Sequence, residues 1–257
     1  MDDLSSNPSN PLDANLKGKV AIIIGGAGAI WSAIATGISK VGATVAIADT
    51  SESIEAAWNR IHRETGGEGG TIRVDLTKHV EIEKCFRELS TRFGPADIMV
   101  HAAGIYVRQG LLEISAADWD QTLDVNMRSF FLCTKAAVEQ MMPRNEGRII
   151  GITSGMGVAG RERSSAYSAS KAAMIVFTKS VAMELAGTGI TINLVGPGIT
   201  DSPLMRNANS EEEIRRSESR LGRPLGSPER VIGPVLYLLS DATKTVSGTT
   251  LWMRAPG

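Results

Sequence analysis

From Lys19 onward, short and solidly apolar runs alternate with segments of helical period, and this alternation restricts the chain to few folds. The first run, Val20–Ile24, is apolar at every position, as suits a strand covered on both faces. Further strands are expected over residues 44–48, 71–74, 97–100, 148–153, 191–195 and 249–253. Helices are expected over residues 30–41, 51–64, 80–93, 116–142, 165–186 and 227–240. The Gly66-Gly67-Glu68-Gly69-Gly70 cluster ends the second helix, and Pro143 helps to stop the long fourth one. Residues 203–224 turn polar, with Glu211, Glu212 and Glu213 ahead of Arg215 and Arg216, which predicts a solvated helix in a flap spanning about 200–225.

Repeated β-α-β units call for right-handed crossovers and a parallel sheet. The expected fold is therefore α/β: a doubly wound, Rossmann-type, seven-stranded parallel sheet with helices on both faces and ligands at the carboxyl ends of the strands. A chain of 257 residues with 42% hydrophobic content can bury one full core. A single domain is expected over residues 17–257, after a polar, Pro-rich tail over 1–16. A formal charge of −1 gives no basic footprint for nucleic acid or an anionic membrane. No apolar run is long enough to cross a bilayer. Cys85 and Cys133 each fall within an amphipathic helical pattern, which reads as buried free thiols in a reducing, cytoplasmic setting. His62, His79 and His101 lie in no metal-ligand spacing, so no metal site is expected.

Chemistry concentrates between Ser154 and Lys171. A serine ends an apolar strand, a Gly-rich connection follows, and Tyr167 and Lys171 stand four positions apart on one helix face. A free phenol is a poor acid or base at neutral pH, and a neighbouring ammonium is expected to favour the phenolate. Ser154 then holds a substrate oxygen while Tyr167 exchanges its proton. At the other end of the chain, Gly25-Gly26-Ala27-Gly28 links the first strand to the first helix, exposing backbone N–H groups suited to a pyrophosphate. Asp49 ends the second strand about 20 residues later, where a ribose-binding acid belongs.

These motifs together resemble the short-chain dehydrogenase/reductase family, from about Leu16 to the C-terminus. The resemblance aligns the family's Gly-rich turn with residues 24–31, its adenine-side acid with Asp75, and its Asn-Asn-Ala-Gly segment with His101-Ala102-Ala103-Gly104. It aligns the family's Asn, Ser, Tyr and Lys with Asn126, Ser154, Tyr167 and Lys171, and its Pro-Gly segment with Pro197-Gly198. What it implies is an oxidoreductase acting on a secondary alcohol or a ketone with NAD. Tyr167 is then the acid/base, Ser154 its hydrogen-bonding partner, Lys171 the ribose ligand, and Asn126 the holder of a relay water. Gly25, Gly28, Ile30, Asp49, Asp75, Leu76, Ala102, Ala103, Gly104, Tyr167, Lys171, Pro197, Gly198, Ile199 and Ser202 would contact the cofactor, Ser202 at the nicotinamide end. Asp49 would repel a 2′-phosphate, and no Arg or Lys follows it at Thr50 or occupies the Gly-rich turn, so NAD is preferred to NADP. Relatives of this kind assemble as homotetramers or homodimers through the helices at 116–142 and 165–186.

The chain departs from the family pattern at five points, the mildest being Ala29 where glycine is commoner. Ile24 replaces a hydroxyl residue, His101 replaces an asparagine, and residues 252–257 depart from the usual Asp-Gly-Gly close. Trp31 stands where the last glycine of the turn belongs, so its indole either fills cofactor space or turns beneath the helix into the core. The first outcome points to an alternative: impaired dinucleotide binding, with non-redox proton transfer or elimination, or a binding module. Tyr106, Val107, Arg108, Met156, Val158 and the flap are expected to line the substrate pocket. Arg161 and Arg163 are either carboxylate anchors there or solvated loop residues.

Overall fold

In a computed structural model, residues 14–25 and 28–253 are described. Seven strands form one parallel sheet: β1 (Val20–Ile24), β2 (Thr44–Asp49), β3 (Gly69–Arg73), β4 (Ile98–His101), β5 (Gly147–Ile152), β6 (Ile190–Gly196) and β7 (Thr250–Trp252). Their spatial order is β3-β2-β1-β4-β5-β6-β7, and the order reverses between β1 and β4. Such a reversal opens a crevice at the carboxyl ends of the two strands. Within β1, Val20, Ile22 and Ile24 join one hydrophobic layer while Ala21 and Ile23 join the other, so both faces of the strand are buried. This is why the run carries no polar alternation.

The first layer packs α3 (His79–Phe93) and α5 (Ser129–Met141) on the sheet through Ile82, Phe86, Leu89 and Phe130. The second packs α1 (Ala29–Lys40), α2 (Ile54–Thr65) and α10 (Ile232–Leu239) through Ile34, Ile38, Ile61 and Leu238. Cys85 and Cys133 are both buried and free. Among the described residues, no helix is long and apolar enough to cross a membrane, and no group of side chains is arranged to hold a metal ion.

Several boundaries differ from expectation. The third strand begins within the glycine cluster at Gly69 and ends at Arg73, leaving Val74 and Asp75 beyond it. The fourth strand lies one residue later and includes His101. The single helix expected over 116–142 is α4 (Ala116–Leu123), a π-turn over Asp124–Arg128 and α5, so the helical path carries one wide turn at Asn126. The last helix opens as a 3₁₀ turn, Pro228–Val231, before α10. Leu16, expected in the tail, is buried, and its N–H donates to Val41 O at 2.9 Å. The rest of that tail up to Leu12, together with Asp13, lies outside the described residues.

Candidate active site

The predicted residues converge around the β1/β4 crevice. Gly25 ends β1 with φ +102°, and a Cβ there would lie 2.6 Å from Ala103 N. Only glycine lets the turn after β1 press against the turn after β4 in this way. Gly28 is the N-cap of α1 and Ile30 lies in its first turn, while Gly26 and Ala27 lie outside the described residues. Asp49 is the last residue of β2, and its Oδ1 accepts from Ser51 N at 2.7 Å. Asp75 and Leu76 follow β3. Asp75 Oδ1 accepts from both Thr77 N and Thr77 Oγ1, and these bonds, with Lys78, hold its carboxyl below the usual range.

Trp31 is 4% exposed and belongs to the core layer that α1 shares with Ile34, Ile38 and Val235. The indole has therefore taken the core outcome. Its Nε1 has no hydrogen-bond partner among the described residues.

Asn126 sits in the π-turn and is completely buried. Its Nδ2 donates to Ile105 O and Ser170 Oγ, both at 3.0 Å, and its Oδ1 accepts from Ile105 N at 2.8 Å. Both amide protons are thus committed to holding the segment after Gly104 against α7 (Ser165–Glu184). Ser154 follows β5, and its Oγ accepts from Met156 N at 3.3 Å at the start of the short α6 (Met156–Ala159). A Cβ on Gly157 would lie 2.7 Å from the Lys171 carbonyl carbon, so a bare backbone lets α6 lie directly on α7.

Tyr167 and Lys171 share one face of α7 and are both buried. Burial pushes the Tyr167 phenol up to about 12; the hydrogen bond with Ser154 pulls against this rise and Tyr106 adds to it. Burial brings the Lys171 ammonium down to about 8. Lys171 Nζ donates to Ile152 O at 2.9 Å, touches Met174 Sδ at 3.5 Å, and lies 5.7 Å from the centre of the Tyr167 ring. This corrects the expected acidification. One of the lysine's three donors goes to a strand carbonyl, and burial of the phenol raises Tyr167 instead of lowering it.

Four surrounding features escaped the sequence reading. The Tyr106 ring packs 4.6 Å from that of Tyr167, and its hydroxyl lies 2.7 Å from Ser164 Oγ. Arg163 has φ +59° and is held by both oxygens of Glu113, which fixes the approach to α7. Arg108 pairs with Glu213 at 2.6 Å, bridging the segment after β4 to α9 (Glu211–Leu221). Arg161 donates to Asn209 Oδ1 at 2.9 Å, between α9 and α8 (Pro203–Asn207). Arg161 and Arg163 thus serve neighbouring protein groups, which answers the anchor expectation. None of these pairs has a spacing that marks it along the chain.

His101 is fully buried, packs 5.2 Å from Phe130, and is pushed down to about 3 by burial and by the charge on Lys171. Ser129 Oγ donates to Val125 O, so the 2.7 Å contact leaves His101 Nε2 as donor to that oxygen. A neutral ring tying β4 to α5 is a structural part. At the far side, Pro197, Gly198 and Ile199 follow β6, and Ser202 Oγ caps α8 by accepting from Met205 N at 3.3 Å.

The sheet order, the crevice and the Ser154–Tyr167–Lys171 cluster define a class, and comparison with known proteins gives the same one. A family profile described as enoyl-(acyl carrier protein) reductase matches residues 25–254. The 3-oxoacyl-(acyl-carrier-protein) reductase FabG of Vibrio cholerae is 33% identical over 92% of this chain and 96% of its own length. Its namesake from Aquifex aeolicus is 34% identical over 93% and 97%. Among solved structures, a dehydrogenase/reductase from Sinorhizobium meliloti 1021 superposes with a TM-score of 0.86 at 32% identity, covering 96% of this chain and 97% of that one. An actinorhodin polyketide ketoreductase variant solved with NADPH gives 0.86 at 29%, covering 92% and 96%. The chain belongs to the short-chain dehydrogenase/reductase family of nicotinamide-dependent oxidoreductases.

Proposed function

We propose that this chain interconverts a ketone and a secondary alcohol with a nicotinamide dinucleotide, and that its site is built for the reductive direction. The observation that carries this is a buried Tyr167 beside Ser154, with Lys171 one turn on. A phenol held protonated is the form that gives a proton to a carbonyl oxygen, and Ser154 is placed to hold that oxygen. The relatives named above are reductases, which supports the same direction.

The residues present fit the cofactor. A Cβ on Gly104 would lie 3.3 Å from Asn126 Oδ1 and 3.6 Å from Lys171 Nζ, so the glycine keeps the approach to Lys171 open. Gly28 at the α1 N-terminus suits the diphosphate, Asp49 the adenosine ribose, Asp75 and Leu76 the adenine, and Gly198 to Ser202 the nicotinamide end. When bound, the dinucleotide supplies or accepts the hydride. Lys171 holds the inner ribose, and Asn126 acts as a positioning residue through Ile105 and Ser170. The carboxylate of Asp49 supports use of NAD. Burial of Trp31 in the α1 layer supports the redox reading over the non-redox one.

Turnover of a panel of ketones and secondary alcohols tests the assignment. Tyr167→Phe is expected to lose about two to four orders of magnitude in kcat with cofactor affinity retained. Unchanged turnover in that variant would falsify it.

A further inference from the structure

We propose that Tyr106 is a specificity-determining residue of this site, and that it selects an uncharged, aryl-substituted ketone or alcohol. This rests on the ketone–alcohol reading above and names its substrate class.

Tyr106 is held at both ends. The residue before it, Ile105, gives its N–H to Asn126 Oδ1 at 2.8 Å, and its carbonyl accepts from Asn126 Nδ2 at 3.0 Å. At the tip of the side chain, the hydroxyl lies 2.7 Å from Ser164 Oγ. Ser164 is buried and its own hydroxyl donates to Glu162 O at 3.1 Å, so Tyr106 is the donor in that contact. Gln109 and Ser164 also pair as an isolated parallel bridge, which keeps the segment after β4 alongside the start of α7. The phenol proton of Tyr106 is therefore committed to the protein. What the residue offers a ligand is its ring.

That ring lies 4.6 Å from the ring of Tyr167 at a tilt of 42°. A carbonyl whose oxygen reaches the Tyr167 hydroxyl carries one of its two substituents to the Tyr106 side. Tyr106 is only half-buried, so part of the ring stays open there. Tilted or offset stacking on a fixed ring favours an aryl group over a saturated ring of similar size, and a side chain already locked in place loses little freedom on binding. The neighbouring Val107 and Met156 are also half-buried and carry no charge.

The arginines of the surrounding loops are turned to protein groups. Arg108 meets Glu213 at 2.6 Å, Arg161 meets Asn209 at 2.9 Å, and Arg163 meets Glu113 at 3.0 Å. An anionic substrate would compete with Glu213 or Glu113 for its cation, whereas an uncharged one leaves these pairs intact.

Steady-state reduction of phenylacetone, cyclohexylacetone and levulinate by the full chain, with either nicotinamide cofactor, tests this. The first two differ only in the flatness of the ring, and the third is an anion. The unmodified chain is expected to favour phenylacetone over cyclohexylacetone by about fivefold or more in kcat/KM, and to favour both over levulinate. Tyr106→Leu should lower the phenylacetone-to-cyclohexylacetone ratio by about fivefold, chiefly through KM, while Tyr106→Phe keeps that ratio because the ring remains. A ratio near one in the unmodified chain, a ratio unmoved in Tyr106→Leu, or a preference for levulinate overturns the proposal and leaves the ketone–alcohol reading standing. The ratio in the unmodified chain decides alone should Tyr106→Leu not fold. Turnover of none of the three ketones, nor of their alcohols in reverse, overturns that reading and the proposal with it.

Discussion

Lys171 is dissolved in the core as a charge that the fold disfavours, and this has a measurable sign. Its folded value of about 8 lies below the unfolded 10.5, so between those limits the unfolded chain binds more protons and stability from this group rises with pH. Lys171→Met is therefore expected to stabilise the chain most below pH 8. That advantage, on the order of 3 kcal/mol, should shrink as pH approaches 10, read from urea melts of both proteins. Tyr167 opposes this only above pH 10, because its folded value exceeds the unfolded one. Trp31 gives a second prediction. An indole at 4% exposure within a core layer should cost about 3–5 kcal/mol on conversion to alanine, with no gain in NAD affinity. A tighter NAD complex in Trp31→Ala would show that the ring does crowd the cofactor.

The flap shows at the scale of elements what the chain order conceals. Glu213 was read as one of a solvated acidic run, yet it both closes the Ser210 capping box and pairs with Arg108 across 105 positions of sequence. Arg108 also holds that carboxyl down to about 2. Glu213→Gln keeps the cap and removes the pair. For a partly exposed ion pair, KM should rise about fivefold with kcat little changed, and high salt should erase the difference. A fall in kcat alone would assign the pair another role. Apolar runs and helical periods made the seven strands and the parallel sheet legible, and a strand-end serine ahead of a Tyr and Lys four apart marked Ser154, Tyr167 and Lys171. Hidden were interactions set by register and by loop path: Tyr106 on Tyr167, Glu113 under Arg163, and Arg73 beside Asp49. No local rule of composition encodes a neighbour on another strand.

At the scale of the molecule, both faces of the sheet are covered, but the outer faces of α5 and α7 are not. Phe131, Val176 and Met183 stand 43%, 63% and 72% exposed on these two helices. A pair of helices with large apolar side chains turned outward is expected to be covered by further copies of the chain. Light scattering should then find an oligomer, and Val176→Asp should shift it towards the monomer; a monomeric unmodified chain refutes this.

The wide turn at Asp124–Arg128 also bears on how the chain tolerates editing. It holds one residue more than an α-helical path would, and each residue advances a helix by about 100°. Because the wide turn absorbs that extra residue within itself, excising one of the five other than Asn126 is expected to restore a plain α-helix with Phe130 still inward and Phe131 still outward. A one-residue length change that would turn a plain helix by about 100° is taken up here inside a single turn.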